Sequence, residues 1–186
     1  MSKRFPIPQF NRDQYKNLEW SSPKLLSKAE QERLIAAAKG GDQKAYGCHP
    51  VEVDHALLDR FKLTGPYTHA VMCLTPPSGV RLTGRSWAWE IQRALVLDSL
   101  DPASAKVLQE WKTPRPMNTR LGPDDGVDLN GGVSFVLVGH RYGDHWIANR
   151  TLVERKATSD RGFSVISSSN DEANDFHACN LSFSWA

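Results

Sequence analysis

The sequence predicts a mainly β protein (α+β overall): an antiparallel β-sandwich, in the jelly-roll topology as one option, preceded by an extended arm and two short helices. Residues 177–185 alternate in polarity, with one face formed by His177, Cys179, Leu181, Phe183 and Trp185. A period of two is the pattern of a half-buried strand. About seven strand-like runs follow residue 67 at the spacing of sandwich or barrel strands. With 186 residues, 40% of them apolar, the chain can form a substantial core.

The first 24 residues predict an extended arm. Pro6, Pro8 and Pro23 oppose a helix, and the apolar side chains form no helical stripe. Exposed aromatic side chains would be costly in water, so we expect them to lie over the body of the domain or over a neighbouring subunit. The four side chains predicted for contact with a subunit or partner are Phe5, Phe10, Tyr15 and Trp20. The arm is also mildly basic, which allows weak contact with nucleic acid. The side chains predicted for that contact are Lys3, Arg4, Arg12 and Lys16.

Residues 25–66 predict a helical segment. Ser27 can cap a helix that runs to Lys39, with Glu30 in the capping-box position, and Gly40-Gly41 ends it. A second helix is predicted over Val51–Phe61, because apolar residues recur there at helical spacing.

The stretch Leu26–Ala45 resembles the opening of a conserved region in bacterial primary sigma factors. That region has a Glu-rich helix followed by a Gly-Asp-x-x-Ala turn, which Gly41-Asp42-Gln43-Lys44-Ala45 matches. Gly47-Cys48-His49-Pro50 stands where the family continues into a long apolar helix. The resemblance is therefore confined to this short stretch and implies no function for the rest of the chain.

Residues 67–186 predict the sandwich domain. Its predicted strands are Thr68–Leu74, Val80–Thr83, Val133–Val138, His145–Glu154, Phe163–Ser167 and the terminal strand. Residues 86–98 alternate as a strand would, yet Trp87, Ile91 and Leu95 also align along a helix, so both alternatives stay open. A short helix is predicted from Asp101 to Glu110. The proline- and glycine-rich residues 113–130 are predicted to be a loop.

A predicted hairpin turn carries His140, Asp144 and His145. Two imidazoles and a carboxylate are a plausible metal set, which defines one alternative, a metal-dependent hydrolase. Their spacing matches no metal signature, however, and such residues commonly serve only the turn. The sequence contains no Gly-x-Ser-x-Gly, P-loop or dinucleotide-binding motif. We therefore predict no catalytic residue, no metal and no cofactor, and interpret the protein as a non-enzyme.

The chain also gives an expectation about location. No apolar run approaches the roughly 20 residues that span a bilayer, and no apolar segment typical of a signal peptide follows the basic start. The three cysteines are odd in number and widely spaced, which favours a reducing compartment. We expect a cytoplasmic protein, in a host cytoplasm or virion if viral, that is not secreted through a signal peptide and contacts no membrane.

These features together favour a self-assembling structural protein. An aromatic arm leading into one sandwich resembles the architecture of single jelly-roll coat proteins of small viruses, whose arms run beneath or across adjacent subunits. The resemblance implies a capsid or virion component that forms a homo-oligomer. The alternative is a small binding or inhibitor module that acts on one protein partner.

Overall fold

The computed structural model describes residues 25–114, 119–155, 161–169 and 178–186. The predicted arm, residues 1–24, lies outside the described residues, and so do its eight named side chains. Two α-helices, a 3-10 helix at Gln43–Ala45 and thirteen strands occur in the described part of the chain. In chain order the strands are β1 Gly47–Glu52, β2 Leu63–Thr64, β3 His69–Thr75, β4 Val80–Ser86, β5 Gln92–Leu97, β6 Val107–Lys112, β7 Thr119–Leu121, β8 Val127–Leu129, β9 Gly132–Tyr142, β10 His145–Ala148, β11 Arg150–Arg155, β12 Gly162–Ser168 and β13 Cys179–Ser184.

Helix α1, Lys28–Lys39, begins at the predicted cap. The Glu30 backbone N–H donates to Ser27 Oγ at 3.2 Å, and Ser27 Oγ in turn donates to the Glu30 carboxylate at 3.2 Å. The Ser27 side chain thereby satisfies one backbone N–H at the helix start, which is one half of the capping-box arrangement. The predicted helix and its cap are confirmed.

Helix α2, His55–Arg60, is shorter than the predicted Val51–Phe61, and the prediction was wrong over its first residues. Those residues belong to β1, which pairs antiparallel with β3, while Asp54 caps the helix by accepting from the Ala56 N–H at 2.9 Å. Val51 and Val53 are buried and Glu52 is exposed. This alternation is the signal of a strand, and the apparent helical spacing arose where a strand runs directly into a capped helix.

Seven strands form the first sheet, sheet A, with β9 at its centre. The first half of β9 pairs with β3 and its second half with β10, both on one edge, while β5 pairs along the other edge. The outer positions belong to β1, beside β3, and to β6, beside β5. The short β2 pairs with β10 in parallel.

Six strands form the second sheet, sheet B, in the order β11, β12, β13 and β4. Strand β4 then pairs with β8 near its start and with β7 near its end. Strand β13 is therefore an interior strand. Its burial alternates as the sequence predicted: Cys179, Leu181 and Phe183 are buried, and the residues between them are half-buried.

Two apolar layers share sheet A. One face of sheet A packs on sheet B through side chains such as Val71, Val136 and Phe183. The opposite face packs on the helices through Met72, Leu137 and Leu57, among others. The molecule is thus a helical layer, a sheet and a second sheet, and the predicted mainly β class with two sheets is confirmed. None of the helices in the described residues is both long and apolar enough to cross a membrane.

The structure decides between strand and helix for residues 86–98. Gln92–Leu97 forms the strand β5 between β6 and β9, whereas residues 87–91 form neither helix nor strand. The strand alternative is therefore confirmed for its second half.

The helix predicted from Asp101 to Glu110 is wrong. The Asp101 carboxylate accepts hydrogen bonds from the Ser104 hydroxyl at 2.7 Å and the Ala103 N–H at 3.1 Å, which closes a turn. These two bonds lower the pKa of Asp101. The chain then enters β6, because pairing with β5 outweighs the helix propensity of Leu, Gln and Glu.

Two further stretches of the chain differ from the sequence prediction. Residues 113–130 contain the short strands β7 and β8, which pair with β4, so the prediction of a continuous loop was wrong there. The single strand predicted over His145–Glu154 is divided at Asn149: β10 belongs to sheet A and β11 to sheet B. The chain therefore crosses between the sheets at Asn149.

Candidate functional site

A groove lies at the end of sheet B where β4, β8 and β13 run side by side. Ser184 stands directly opposite Arg81, and Arg81 directly opposite Asp128. Their neighbours Leu82 and Phe183 are buried in the core between the sheets. Because side chains alternate along a strand, Ser184, Arg81 and Asp128 form one row on the outer face.

The Arg81 guanidinium is held by two partners in this row. Its Nη2 lies 3.1 Å from Asp128 Oδ1, and its Nη1 donates to the backbone oxygen of Asp125 at 2.7 Å. The pair is substantially exposed. It therefore combines a fixed donor and a fixed acceptor that carry no net charge together, and both remain accessible to a ligand.

Trp185 forms the end wall of the groove. Its ring packs edge-on against Phe163, with centroids 6.0 Å apart, and against Tyr46 at 5.9 Å. The half-buried indole also packs against the apolar layer between the sheets, and together these contacts fix its position. The groove has a volume of about 490 Å³ and is completed by Ser78, Gly79, Val80, Leu129, Asn130 and Ala186.

Several polar side chains follow the groove along the outer face of sheet B, beside the buried Ile166. Ser164 Oγ lies 3.1 Å from Ser182 Oγ, and the Ser182 hydroxyl donates to Asn180 Oδ1 at 3.4 Å. Arg85 then stands between Asn180 on one neighbouring strand and Arg120 on the other. Small hydroxyl and amide groups therefore lead from the groove to a pair of arginines.

A second polar cluster is buried between the sheets, where the chain crosses at Asn149. The Asn149 amide nitrogen donates to Gln92 Oε1 at 2.8 Å and to Ser167 Oγ at 3.0 Å. Asn149 Oδ1 consequently faces His140 Nδ1, 2.6 Å away, so that nitrogen carries the proton. The cluster joins sheet A to sheet B and fixes the His140 ring.

The three residues of the metal-dependent alternative do not come together in the structure. His140 is buried and bonded to Asn149, whereas Asp144 and His145 are exposed at the turn between β9 and β10. Across the described residues, no three His, Cys, Asp or Glu side chains come together as ligands of a metal ion. The hydrolase alternative thus gains no support from the described part of the chain.

The sequence did not reveal the groove. The polar positions Arg81 and Ser184 can be read from the alternation along β4 and β13, but alternation does not say which strands are neighbours. Asp128 lies in a stretch predicted to be a loop. The row exists only because β8 pairs with β4, a contact across more than 40 residues of chain.

Two sheets packed face to face, with helices outside one and a polar groove at the end of the other, define a β-sandwich protein. The fold is similar to that of the C-terminal domain of the BC2L-C lectin from Burkholderia cenocepacia, at 19% identity over 62% of this chain and 94% of that chain, with a TM-score of 0.46. It is also similar to the lectin CV2L from Chromobacterium violaceum, whose structure was solved with α-methyl-fucoside, at 12% identity over 62% of this chain and 95% of that chain, with a TM-score of 0.43. No protein-family model and no curated protein matches the chain.

Proposed function

We propose that this protein binds a neutral sugar in the groove at the end of sheet B. The observation that carries the proposal is the row Ser184, Arg81 and Asp128 beside the fixed indole of Trp185. Sugar hydroxyls both donate and accept hydrogen bonds, and the row offers a hydroxyl, a guanidinium and a carboxylate together. An indole adds an apolar surface for the C–H face of a sugar ring.

The charge of the groove favours a neutral ligand. Arg81 and Asp128 balance each other at 3.1 Å, so a ligand with a full charge would meet one attractive and one repulsive group. The lectins of similar fold are below 20% identical to this chain, so the proposal rests on the groove itself.

The test is a glycan array followed by calorimetry on the full chain. The array identifies the sugar, and the affinity is then measured for the Asp128→Ala variant. Loss of the Asp128 carboxylate removes one hydrogen-bond acceptor and leaves the positive charge of Arg81 without its ion-pair partner. We therefore expect the affinity for the sugar to be at least tenfold weaker, about 1.4 kcal/mol.

Asp124→Ala is the matched control, because Asp124 pairs with Arg120 and does not line the groove. We expect it to bind as the native chain does. Absence of any neutral sugar bound at millimolar concentration, or equal loss of affinity in both variants, would refute the proposal.

A second candidate is the self-assembling structural protein expected from the sequence, and β6 favours it. This strand is at the edge of sheet A and exposes two adjacent apolar side chains, Val107 at 42% and Leu108 at 41%. The register shifts between β5 and β6 beside them. A bulge of this kind opposes the addition of another strand, so contact through the side chains is the mode that the geometry favours.

The position of the N-terminal segment is the second observation that favours self-assembly. The Leu26 N–H donates to the Pro50 oxygen at 3.0 Å, so the described chain begins along the free edge of β1. Residues 1–24, with Phe5, Phe10, Tyr15 and Trp20, precede that point. Under this candidate they contact neighbouring subunits, in a jelly-roll coat or virion component of the cytoplasm, with Lys3, Arg4, Arg12 and Lys16 available for weak contact with nucleic acid.

Light scattering coupled to size-exclusion chromatography tests self-assembly. We expect the full chain to form an oligomer, and both Leu108→Asp and a variant with the four arm aromatics changed to serine to shift it toward the monomer. Leu25→Asp is the control for an added surface charge. A native chain that is monomeric at all concentrations would exclude this candidate and leave a binding module for a ligand or one protein partner.

A further inference from the structure

Two cysteines face each other across the first two long strands of sheet A. Cys48 lies on β1 and Cys73 on β3, and the register pairs them directly. None of the three cysteines forms a disulfide in the structure, and the third, Cys179, lies on β13 of the other sheet.

The hydrogen-bond pattern fixes the kind of pair that they form. The Val53 N–H donates to the Thr68 oxygen at 2.8 Å, so Val53 and Thr68 are a hydrogen-bonded pair. Pairs alternate along an antiparallel ladder, so Cys48 and Cys73, an odd number of steps away, are a non-hydrogen-bonded pair. Pro50 agrees with this assignment, because its oxygen accepts from Leu26 on the outer edge of β1.

This pairing has the spacing of a disulfide. The Cα atoms of a non-hydrogen-bonded pair are about 4.5 Å apart, and disulfides span Cα distances of about 4.4–6.8 Å. Directly opposite side chains also leave the ladder on the same face. Both cysteines contact the apolar layer between the sheets, with Cys73 fully buried and Cys48 half-buried.

We propose that Cys48 and Cys73 are a redox site that closes to a cross-strand disulfide on reaction with a low-molecular-weight disulfide. The Cys48 thiolate attacks one sulfur of the small disulfide, forms a mixed disulfide and releases one small thiolate. The Cys73 thiolate then attacks the Cys48 sulfur and releases the second small thiolate. Two protein thiols are oxidised, one small disulfide is reduced to two thiols, and the two protons go to solvent or to the released thiolates.

Access and burial set the order of the two steps. Cys48 is reached first because it is half-exposed and lies on an edge strand, whereas burial raises the pKa of Cys73. The closing step is therefore the slower one, and its rate rises with pH as more Cys73 thiolate forms. Closure ties the edge strand β1, beside which Leu26 runs, to β3.

The test treats the reduced full chain with oxidised glutathione and stops exchange with acid. The remaining free thiols are then alkylated in neutral denaturant, and the peptides are mapped without reduction. We expect one peptide pair joined through Cys48 and Cys73, with Cys179 alone alkylated. A persistent glutathione adduct on Cys48 with Cys73 still alkylated, or a Cys48–Cys48 link between two chains, overturns the proposal.

Single variants separate this outcome from random oxidation. Cys179→Ala is expected to close as fully as the native chain, and Cys73→Ala to stop at the adduct on Cys48. Cys48→Ser is expected to leave Cys73 reduced, and because this position is half-exposed it tests the order of reaction even if Cys73→Ala does not fold. Rapid oxidation of Cys73 in Cys48→Ser contradicts the proposal.

Discussion

At the scale of single residues, Asn149 joins the two sheets. Its amide donates to Gln92 on sheet A and to Ser167 on sheet B, and its oxygen accepts from His140. All four side chains are buried. Asn149 thus gives a hydrogen-bond partner to His140 Nδ1, Gln92 Oε1 and Ser167 Oγ, which are buried polar atoms that would be costly without one.

Removal of this amide should destabilise the protein. The Asn149 side chain, 2% exposed, makes three hydrogen bonds. In Asn149→Ala the partner atoms on Gln92, Ser167 and His140 lose these bonds in a region that admits little water. We expect a loss of about 3 kcal/mol in the free energy of unfolding, measured by urea denaturation. Asn180→Ala, half-exposed on sheet B, is the control and should lose less than about 1 kcal/mol; equal losses would mean that the buried network contributes little.

The cysteines differ in a way that alkylation can measure. Burial raises the pKa of Cys179 to about 12 and also raises that of Cys73, so their thiolate forms are scarce at pH 8. We expect iodoacetamide to modify half-exposed Cys48 in the native protein and all three cysteines after denaturation, as counted by mass spectrometry. The rate of Cys179 alkylation should keep rising as the pH approaches 12, because the reactive form is the deprotonated thiolate. Rapid labelling of Cys179 in the native protein at pH 8 would contradict its burial.

At the scale of elements, the sequence predicts best where the signal is local. The Ser27 cap and Glu30 identify α1, and the alternation of Cys179, Leu181 and Phe183 identifies β13. The sequence fails for β1 and β6, because a strand at the edge of a sheet is defined by its one partner. For β6 that partner is β5, and the pairing of Ala94 with Trp111 is not visible in either segment alone.

The pairing of β4 with β7 contains an unfavourable contact. Arg85 lies directly opposite Arg120, and like charges in that position destabilise a sheet. Arg120 also forms an exposed ion pair with Asp124. We expect Arg85→Thr to raise the free energy of unfolding by about 0.5 kcal/mol, seen as a higher denaturation midpoint at low salt and a smaller gain at high salt. Arg81→Thr, which removes the ion pair with Asp128, is the contrast and should give no gain; a gain in both would indicate threonine propensity alone.

At the scale of the whole molecule, sheet A is shared by two apolar layers, and this explains what the sequence could and could not foretell. Burial on both faces gives β3 and β9 their nearly continuous apolar runs, from which strands were predicted. The groove depends on β4, β8 and β13 meeting at the end of sheet B. Such a site follows from the order of strands in a sheet, which no run of residues specifies.

A shared central sheet also predicts that the layers unfold together. Leu57 of α2 is fully buried against the outer face of sheet A, and Leu57→Ala leaves a cavity worth about 3 kcal/mol. Because loss of the helical layer exposes one face of β3 and β9, sheet B loses the support on which its own core packs. For Leu57→Ala we expect a single thermal transition. Its midpoint temperature should fall by the same amount whether unfolding is followed by backbone circular dichroism or by near-ultraviolet tryptophan signals. Leu25→Ala, at a position that is 38% exposed, is the neutral control. Two separate midpoints in Leu57→Ala would show instead that the helical layer can unfold while the sandwich persists.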